Sequence, residues 1–231
     1  MVGERLTFLT LLTLLKWQCP KKKKEKEKKR KKRKERKKRE GGRERKSLRR
    51  TNSTEFHIYT DGACVDNGSK NPRGGCAFVF KPSDRGVRGY TAFRLENRGP
   101  TGEQYQQTSN RAELRAVIGA LRYRCWDGEG FRSLVIATDS EYIVEGATRW
   151  VRGWLRNGWR TRYGAPVKNK DLWQILLGEA ERLSDQGLKI RFWRIPREWN
   201  TEADKWAKDA ATRATRAQCL EKFADIRGFL V

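Results

Sequence analysis

From Thr54 onward the apolar and polar positions follow two distinct periods. Glu55-Phe-His-Ile-Tyr-Thr-Asp61 is rich in β-formers and stops at Asp-Gly, which predicts a buried strand. Gly74–Phe80 predicts a second strand, and Val87–Glu96, with its alternating polar and apolar residues, a third. Turn residues at Asp66-Asn-Gly and Pro82-Ser-Asp-Arg-Gly separate them, so the three should form an antiparallel meander. The period then lengthens. Asn110–Cys125 places Ala112, Leu114, Ala116, Val117, Ala120 and Leu121 on one helical face, with Thr108, Ser109 and Asn110 as caps. Ser133–Thr138 is a continuous apolar strand, and Leu188–Ile195 another. Helices are expected over Ser140–Ala147, Lys170–Leu183 and Thr201 to about Arg216. A meander followed by alternating strands and helices predicts an α/β fold, a mixed sheet with covering helices.

The first 53 residues follow neither period. Residues 6–15 form an apolar run, shorter than the roughly 20 residues that span a bilayer. A secretory leader is disfavoured as well, because the basic block follows the run and Cys19-Pro-Lys-Lys is a poor cleavage site. Were the chain secreted, Asn52-Ser53-Thr54 would be a glycosylation acceptor. Lys21–Arg39 is almost entirely Lys and Arg with a few Glu, a composition that repels itself and buries no apolar surface. The chain therefore divides into a basic tail (1–53), a folded domain (54–216) and a C-terminal extension (217–231). The tail reads as a nuclear-import signal, a nucleic-acid tether or a solvated linker; the nucleus is the expected compartment, with the mitochondrion as the alternative.

Charge follows the same division. The chain carries 53 Lys/Arg against 28 Asp/Glu, net +25, and residues 1–50 hold 23 of those bases and six of the acids. A field this positive attracts polyanions, so nucleic acid is the expected partner and stable membrane association is not expected. Five cysteines (Cys19, Cys64, Cys76, Cys125 and Cys219), with no C-x-x-C pair and a single histidine, His57, indicate neither a disulfide framework nor a zinc site.

Four carboxylates fall at matching points of the scaffold: Asp61 and Asp139 at strand ends, Glu113 on the first helix, Asp204 in the first turn of the last. Each alone has an ordinary explanation as turn cap, solvated helix residue or dipole partner. Gathered at one edge of an α/β sheet, they would repel one another until protonated or bound to divalent cations. Two such ions roughly 4 Å apart can activate water and stabilise a leaving oxygen in phosphodiester hydrolysis. Trp150 and Trp154, one helical turn apart, sit among Arg149, Arg152, Arg156, Arg160 and Arg162. Indoles at that spacing are more often packing elements, but interleaved basic residues suit a groove that binds a phosphate backbone.

The stretches Ile58-Tyr-Thr-Asp-Gly-Ala63, Thr108-Ser-Asn-Arg-Ala-Glu-Leu114, Ala137-Thr-Asp-Ser-Glu-Tyr142 and Glu202-Ala-Asp-Lys-Trp-Ala207 resemble, in order and spacing, the four catalytic blocks of type 1 ribonuclease H. Trp150–Trp159, continuing through Gly164–Trp173, resembles that family's basic, tryptophan-bearing substrate handle. The resemblance covers about residues 54–215. It implies a five-stranded mixed sheet flanked by helices, and an endonuclease, a monomer, that cuts the RNA strand of RNA/DNA hybrids. Two Mg²⁺ ions, or Mn²⁺, would serve it, leaving a 5′ phosphate and a 3′ hydroxyl. By position, Asp61, Glu113, Asp139 and Asp204 would be both catalytic and metal-binding, with Asp61 bridging the ions. Cys64, Asn67, Ser109 and Asn110 would contact the hybrid near the RNA 2′-hydroxyls. Thr108 and Asn169 would grip a DNA phosphate, and Tyr142, Trp150 and Trp154 would touch the DNA strand.

Three positions depart from the pattern. Ser109 replaces the Asn common there, Gln106 stands where some relatives place Arg, and Ile195–Asp204 is short and lacks the family's loop His. Glu198 reads either as a substitute proton carrier or as a solvated loop residue. That loss keeps open a second reading, a catalytically weak protein that binds hybrids or double-stranded RNA. A third reading is a basic coating factor driven by the tail.

Overall fold

The computed structural model describes residues 54–81, 89–213 and 221–227. The apolar run, the basic block, the glycosylation tripeptide's Asn52, the 82–86 turn, Cys19 and Cys219 lie outside the described residues. The expected meander is present: β1 (Glu55–Val65), β2 (Arg73–Val79) and β3 (Tyr90–Arg94) pair antiparallel in succession. β4 (Ser133–Thr138) and β5 (Lys189–Arg194) then add in parallel on the other side of β1, giving a five-stranded mixed sheet ordered β3-β2-β1-β4-β5. All six residues of β4 are buried, as a continuous apolar run demands of a strand covered on both faces.

β1 does not stop at Asp61. Its parallel pairing with β4 ends at Tyr59 and Ala137, but its antiparallel pairing with β2 continues to Val65. Asp61 therefore lies within a strand that is paired on one side only, at the point where the sheet opens. Two residues beyond the last parallel pair, the neighbouring chains reach Asp61 and Asp139 together.

Two glycines let helices approach the sheet at this point. α1 (Ser109–Arg122), capped by the Thr108 side chain, crosses β1 so closely that a Cβ on Gly62 would lie 2.1 Å from the Glu113 nitrogen. α5 (Thr201–Thr212) lies on the opposite face, where a Cβ on Gly75 would lie 2.2 Å from the Ala207 carbonyl oxygen. Its sheet-facing stripe is Ala203, Ala207, Ala210 and Ala211, all buried, since nothing larger fits that spacing.

α1 ends at Arg122 and not at Cys125. Trp126, fully buried in a following 3₁₀ turn (Trp126–Glu129), donates from Nε1 to the Ala120 carbonyl at 2.9 Å and folds the chain back on the helix. The helix expected over Ser140–Ala147 runs further: α2 (Glu141–Glu145) passes through a π turn (Gly146–Trp150) into α3 (Val151–Arg156). α4 (Lys170–Asp185) and α1 bury Leu114, Val117, Ile118, Leu172, Trp173 and Leu176 against Ile58, Leu134 and Ile136 of the sheet. Each such side chain contributes about 1.5–3 kcal/mol.

Part of the C-terminal extension packs on this domain. Arg98 N–H donates to the Glu221 carbonyl at 3.1 Å, and Asp225 pairs with Arg122 at 2.8 Å. Arg115 is enclosed between the rings of Phe93 and Phe223, donates to the Ala224 carbonyl at 2.5 Å and pairs with Glu96, both side chains being 1% exposed. Among the described residues no helix is long and apolar enough to cross a membrane.

Candidate active site

Two polar side chains hold two of the four carboxylates. Asn200, immediately before α5, is buried and donates from Nδ2 both to the Thr60 carbonyl (3.0 Å) and to Asp139 Oδ1 (2.7 Å), fastening the ends of β1 and β4 to the start of α5. Ser140 Oγ donates to Glu113 Oε2 while accepting from the Ile143 N–H as the cap of α2. Glu113 is thereby tied to the residue next to Asp139, and it is not the solvated helix residue of the ordinary explanation. Asp204, in the first turn of α5, accepts from Arg197 (3.0 Å) and Lys208 (2.7 Å).

Burial pushes the Asp61 carboxyl up to about 7, and the charges of Asp139 and Asp204 push the same way against a bond from the Gly62 N–H and the nearby Arg197. Glu113 is pushed up to about 7 as well, again chiefly by burial, with Asp61 and Asp139 adding to it and Ser140 and Arg197 opposing. Desolvated carboxylates repelling one another are a donor set suited to a hard divalent cation, which takes oxygen ligands. Among the described residues no three acidic, Cys or His side chains converge on one point as they stand. Asp204 faces its two cations and Asp139 faces Asn200, so closing on an ion requires side-chain rotation.

The raised carboxyls set a pH dependence. A carboxyl at about 7 in the fold and about 4 in the unfolded chain holds its proton longer when folded, so ionising it costs stability as pH rises from about 4 to 7. In chelator, the thermal midpoint should fall across that window. Divalent ions relieve the repulsion, so Mg²⁺ should raise the midpoint more at pH 8 than at pH 5.5. A calorimetric scan at both values checks this, and an equal gain at both would contradict it.

The expected hybrid contacts gather around the start of α1. Cys64 Sγ donates to the Gln107 carbonyl (3.6 Å), and Gln106 Nε2 donates to the Ser69 carbonyl (3.4 Å), which fastens the end of β1 and the turn carrying exposed Asn67 to the segment that leads into α1, where Ser109 and exposed Asn110 stand. Thr108 accepts from the Arg111 N–H (3.3 Å), and Asn169, in a left-handed conformation (φ 57°), accepts weakly from Arg111 Nη1 (3.4 Å). Arg111 also forms a bidentate pair with Asp171 (3.0 and 2.7 Å), both side chains being nearly buried. Thr108 and Asn169 are thus brought together by an ion pair that periodicity does not reveal. The sequence signal for it was an Arg at a buried position of α1.

The two tryptophans differ in burial. Trp154 is half-buried, edge-on to the fully buried Trp173 (5.4 Å between centroids), and packs the handle onto α4. Trp150 is 40% exposed, 6.0 Å from Trp154 and 6.1 Å from Tyr142. Tyr142 accepts from Trp173 Nε1 (2.9 Å) and Asn169 Nδ2 (3.2 Å), linking α2 to the start of α4. An open groove of about 650 Å³ runs along Tyr142, Trp150, Trp154, Arg160, Tyr163 and Lys168. Glu198 is exposed on a 3₁₀ turn, Arg197–Trp199.

The RNase H family model matches residues 53–212. The chain belongs to the ribonuclease H family. Ribonuclease H of Treponema pallidum is 39% identical over 167 residues, covering 69% of this chain and 92% of that one. Human ribonuclease H1 is 34% identical over 161 residues, covering 68% of this chain and 50% of its own length. The foamy viral protease-reverse transcriptase, solved in complex with RNA/DNA hybrid, shares the fold, with a TM-score of 0.50 at 19% identity over 74% of this chain and 22% of that one. The matched residues form a type 1 ribonuclease H catalytic domain, and ribonucleases H use divalent metal ions, generally Mg²⁺.

Proposed function

We propose that this ribonuclease H is a monomeric endonuclease that cuts the RNA strand of RNA/DNA hybrids with two Mg²⁺ ions held by Asp61, Glu113, Asp139 and Asp204. The observation that supports it most is that Ser140, Asn200 and Arg197 hold Glu113, Asp139 and Asp204 in place, while Asp61, at the point where β1 leaves β4, feels the charges of Asp139 and Asp204. When bound there, two divalent ions supply the Lewis acidity that activates water and stabilises the departing 3′ oxygen. Asn200 and Ser140 orient Asp139 and Glu113 for that task. Ser109, Asn110, Cys64 and Asn67 would line the RNA side, where only the 2′-hydroxyl distinguishes RNA from DNA. Thr108 and Asn169 would hold a DNA phosphate, and Trp150 and Tyr142 the DNA strand beyond it. The basic run Lys21–Arg39 supports a nuclear location, with the mitochondrion as the alternative.

The test is a panel of duplexes of one sequence, RNA/DNA, RNA/RNA and DNA/DNA, offered to the full chain with Mg²⁺. The hybrid alone should be cut. Equal cutting of all three would refute the proposal, and tight binding without cutting would leave a hybrid-binding protein. Within the handle, Trp150→Ala should raise KM about 5- to 50-fold with a smaller change in kcat, as loss of a stacking platform does. Trp154→Ala should mainly lower the melting temperature. Steady-state kinetics with thermal unfolding separate the two, and the reverse pattern would exchange their roles.

A further inference from the structure

We infer that the turn Arg197–Trp199 is a second nucleic-acid contact, one that holds the cleaved RNA strand beside the carboxylates. The inference rests on the ribonuclease H reading above. Between β5 and α5 this chain has no His; it has instead a cation and an indole two residues apart, both reaching solvent. Arg197 Nη2 lies 3.0 Å from Asp204 Oδ1, yet its side chain is 71% exposed, so one edge of a five-donor fork meets the cluster and the remainder is open to a phosphate. Its charge also acts on Asp61 and Glu113.

The turn is held stiffly. Trp199 N–H donates to the Pro196 carbonyl (2.9 Å) and Asn200 N–H to the Arg197 carbonyl (3.0 Å), and the Asn200 side chain is anchored to β1 and Asp139. Trp199 is 53% exposed and stands edge-on to Trp193 (6.1 Å, 68°), which stands edge-on to His57 (5.8 Å, 71°). Packing alone would bury such an indole. A fixed, half-exposed ring two residues from an exposed guanidinium is the pairing that neutralises a phosphate and stacks on a base or sugar whatever the sequence. Proximity to Asp204 selects the strand that is cut.

The test uses the full chain carrying Asp61→Asn, so that the hybrid persists, and follows hybrid affinity by fluorescence anisotropy across a salt series. Arg197→Ala should weaken binding about fivefold and reduce the salt slope by about one, the signature of one lost phosphate contact. Arg197→Lys should keep the slope. Trp199→Ala should weaken binding about 5- to 100-fold with the slope unchanged, and Trp199→Phe should restore most of it. An unchanged slope in Arg197→Ala, or Phe no better than Ala at 199, overturns the inference. A parent that binds the hybrid no better than a DNA duplex of the same sequence overturns the ribonuclease H reading itself.

Discussion

Asp61→Asn should lower cleavage of an RNA/DNA hybrid by at least about 10³-fold, the equivalent of several kcal/mol of lost transition-state stabilisation. Asp61 lies where β1 has left β4, and it feels the charges of Asp139 and Asp204. Asn keeps the size of the side chain and removes its charge, so the fold should survive and hybrid affinity should hold or rise with one anion fewer in the groove. Because a buried carboxylate costs stability once ionised, the variant in chelator at pH 8 should melt no lower than the parent. Single-turnover cleavage with a melting curve reads both. Unchanged cleavage would remove Asp61 from the site, whereas lost cleavage with an early melt would assign the loss to folding.

Arg115→Ala should destabilise the domain by about 3–5 kcal/mol, a fall in melting temperature on the order of 10 °C. Arg115 and Glu96 are each 1% exposed, and Arg115, between the rings of Phe93 and Phe223, also donates to the Ala224 carbonyl. Truncating the cation leaves Glu96 charged and buried without its partner. Glu96→Leu combined with Arg115→Met should recover much of the loss, since the cost arises from the abandoned charge more than from the missing attraction. Thermal unfolding of the single and double variants decides it; an Arg115→Ala protein as stable as its parent would show that the pair does not hold the C-terminal segment.

Of these two positions the sequence made one legible. Asp61 was readable because it closes a run of β-formers and recurs with Glu113, Asp139 and Asp204 at the ends and starts of predicted elements. The continuation of β1 to Val65 was not, because it depends on β2 outlasting β4 as a partner. Arg111 and Arg115 occupy the apolar face of α1, where periodicity assigns no charge, and their partners Asp171 and Glu96 are distant in sequence. Asn200 carries no signal in the apolar pattern, yet its amide fastens β1 to Asp139. The π turn at Gly146–Trp150 lets α2 run on into α3, a one-residue adjustment that leaves no trace in apolar spacing. Trp154 and Trp150 share a spacing but not an exposure, a difference that apolar spacing does not carry.

The most direct measurement is cleavage of a hybrid labelled separately on its RNA and DNA strands, by the full chain, with Mg²⁺, with Mn²⁺ and with chelator. The account predicts that only the RNA strand is cut, that a divalent ion is required, and that the fragments end in 5′ phosphate and 3′ hydroxyl. Cutting of the DNA strand, or RNA cutting that persists in chelator, would contradict it.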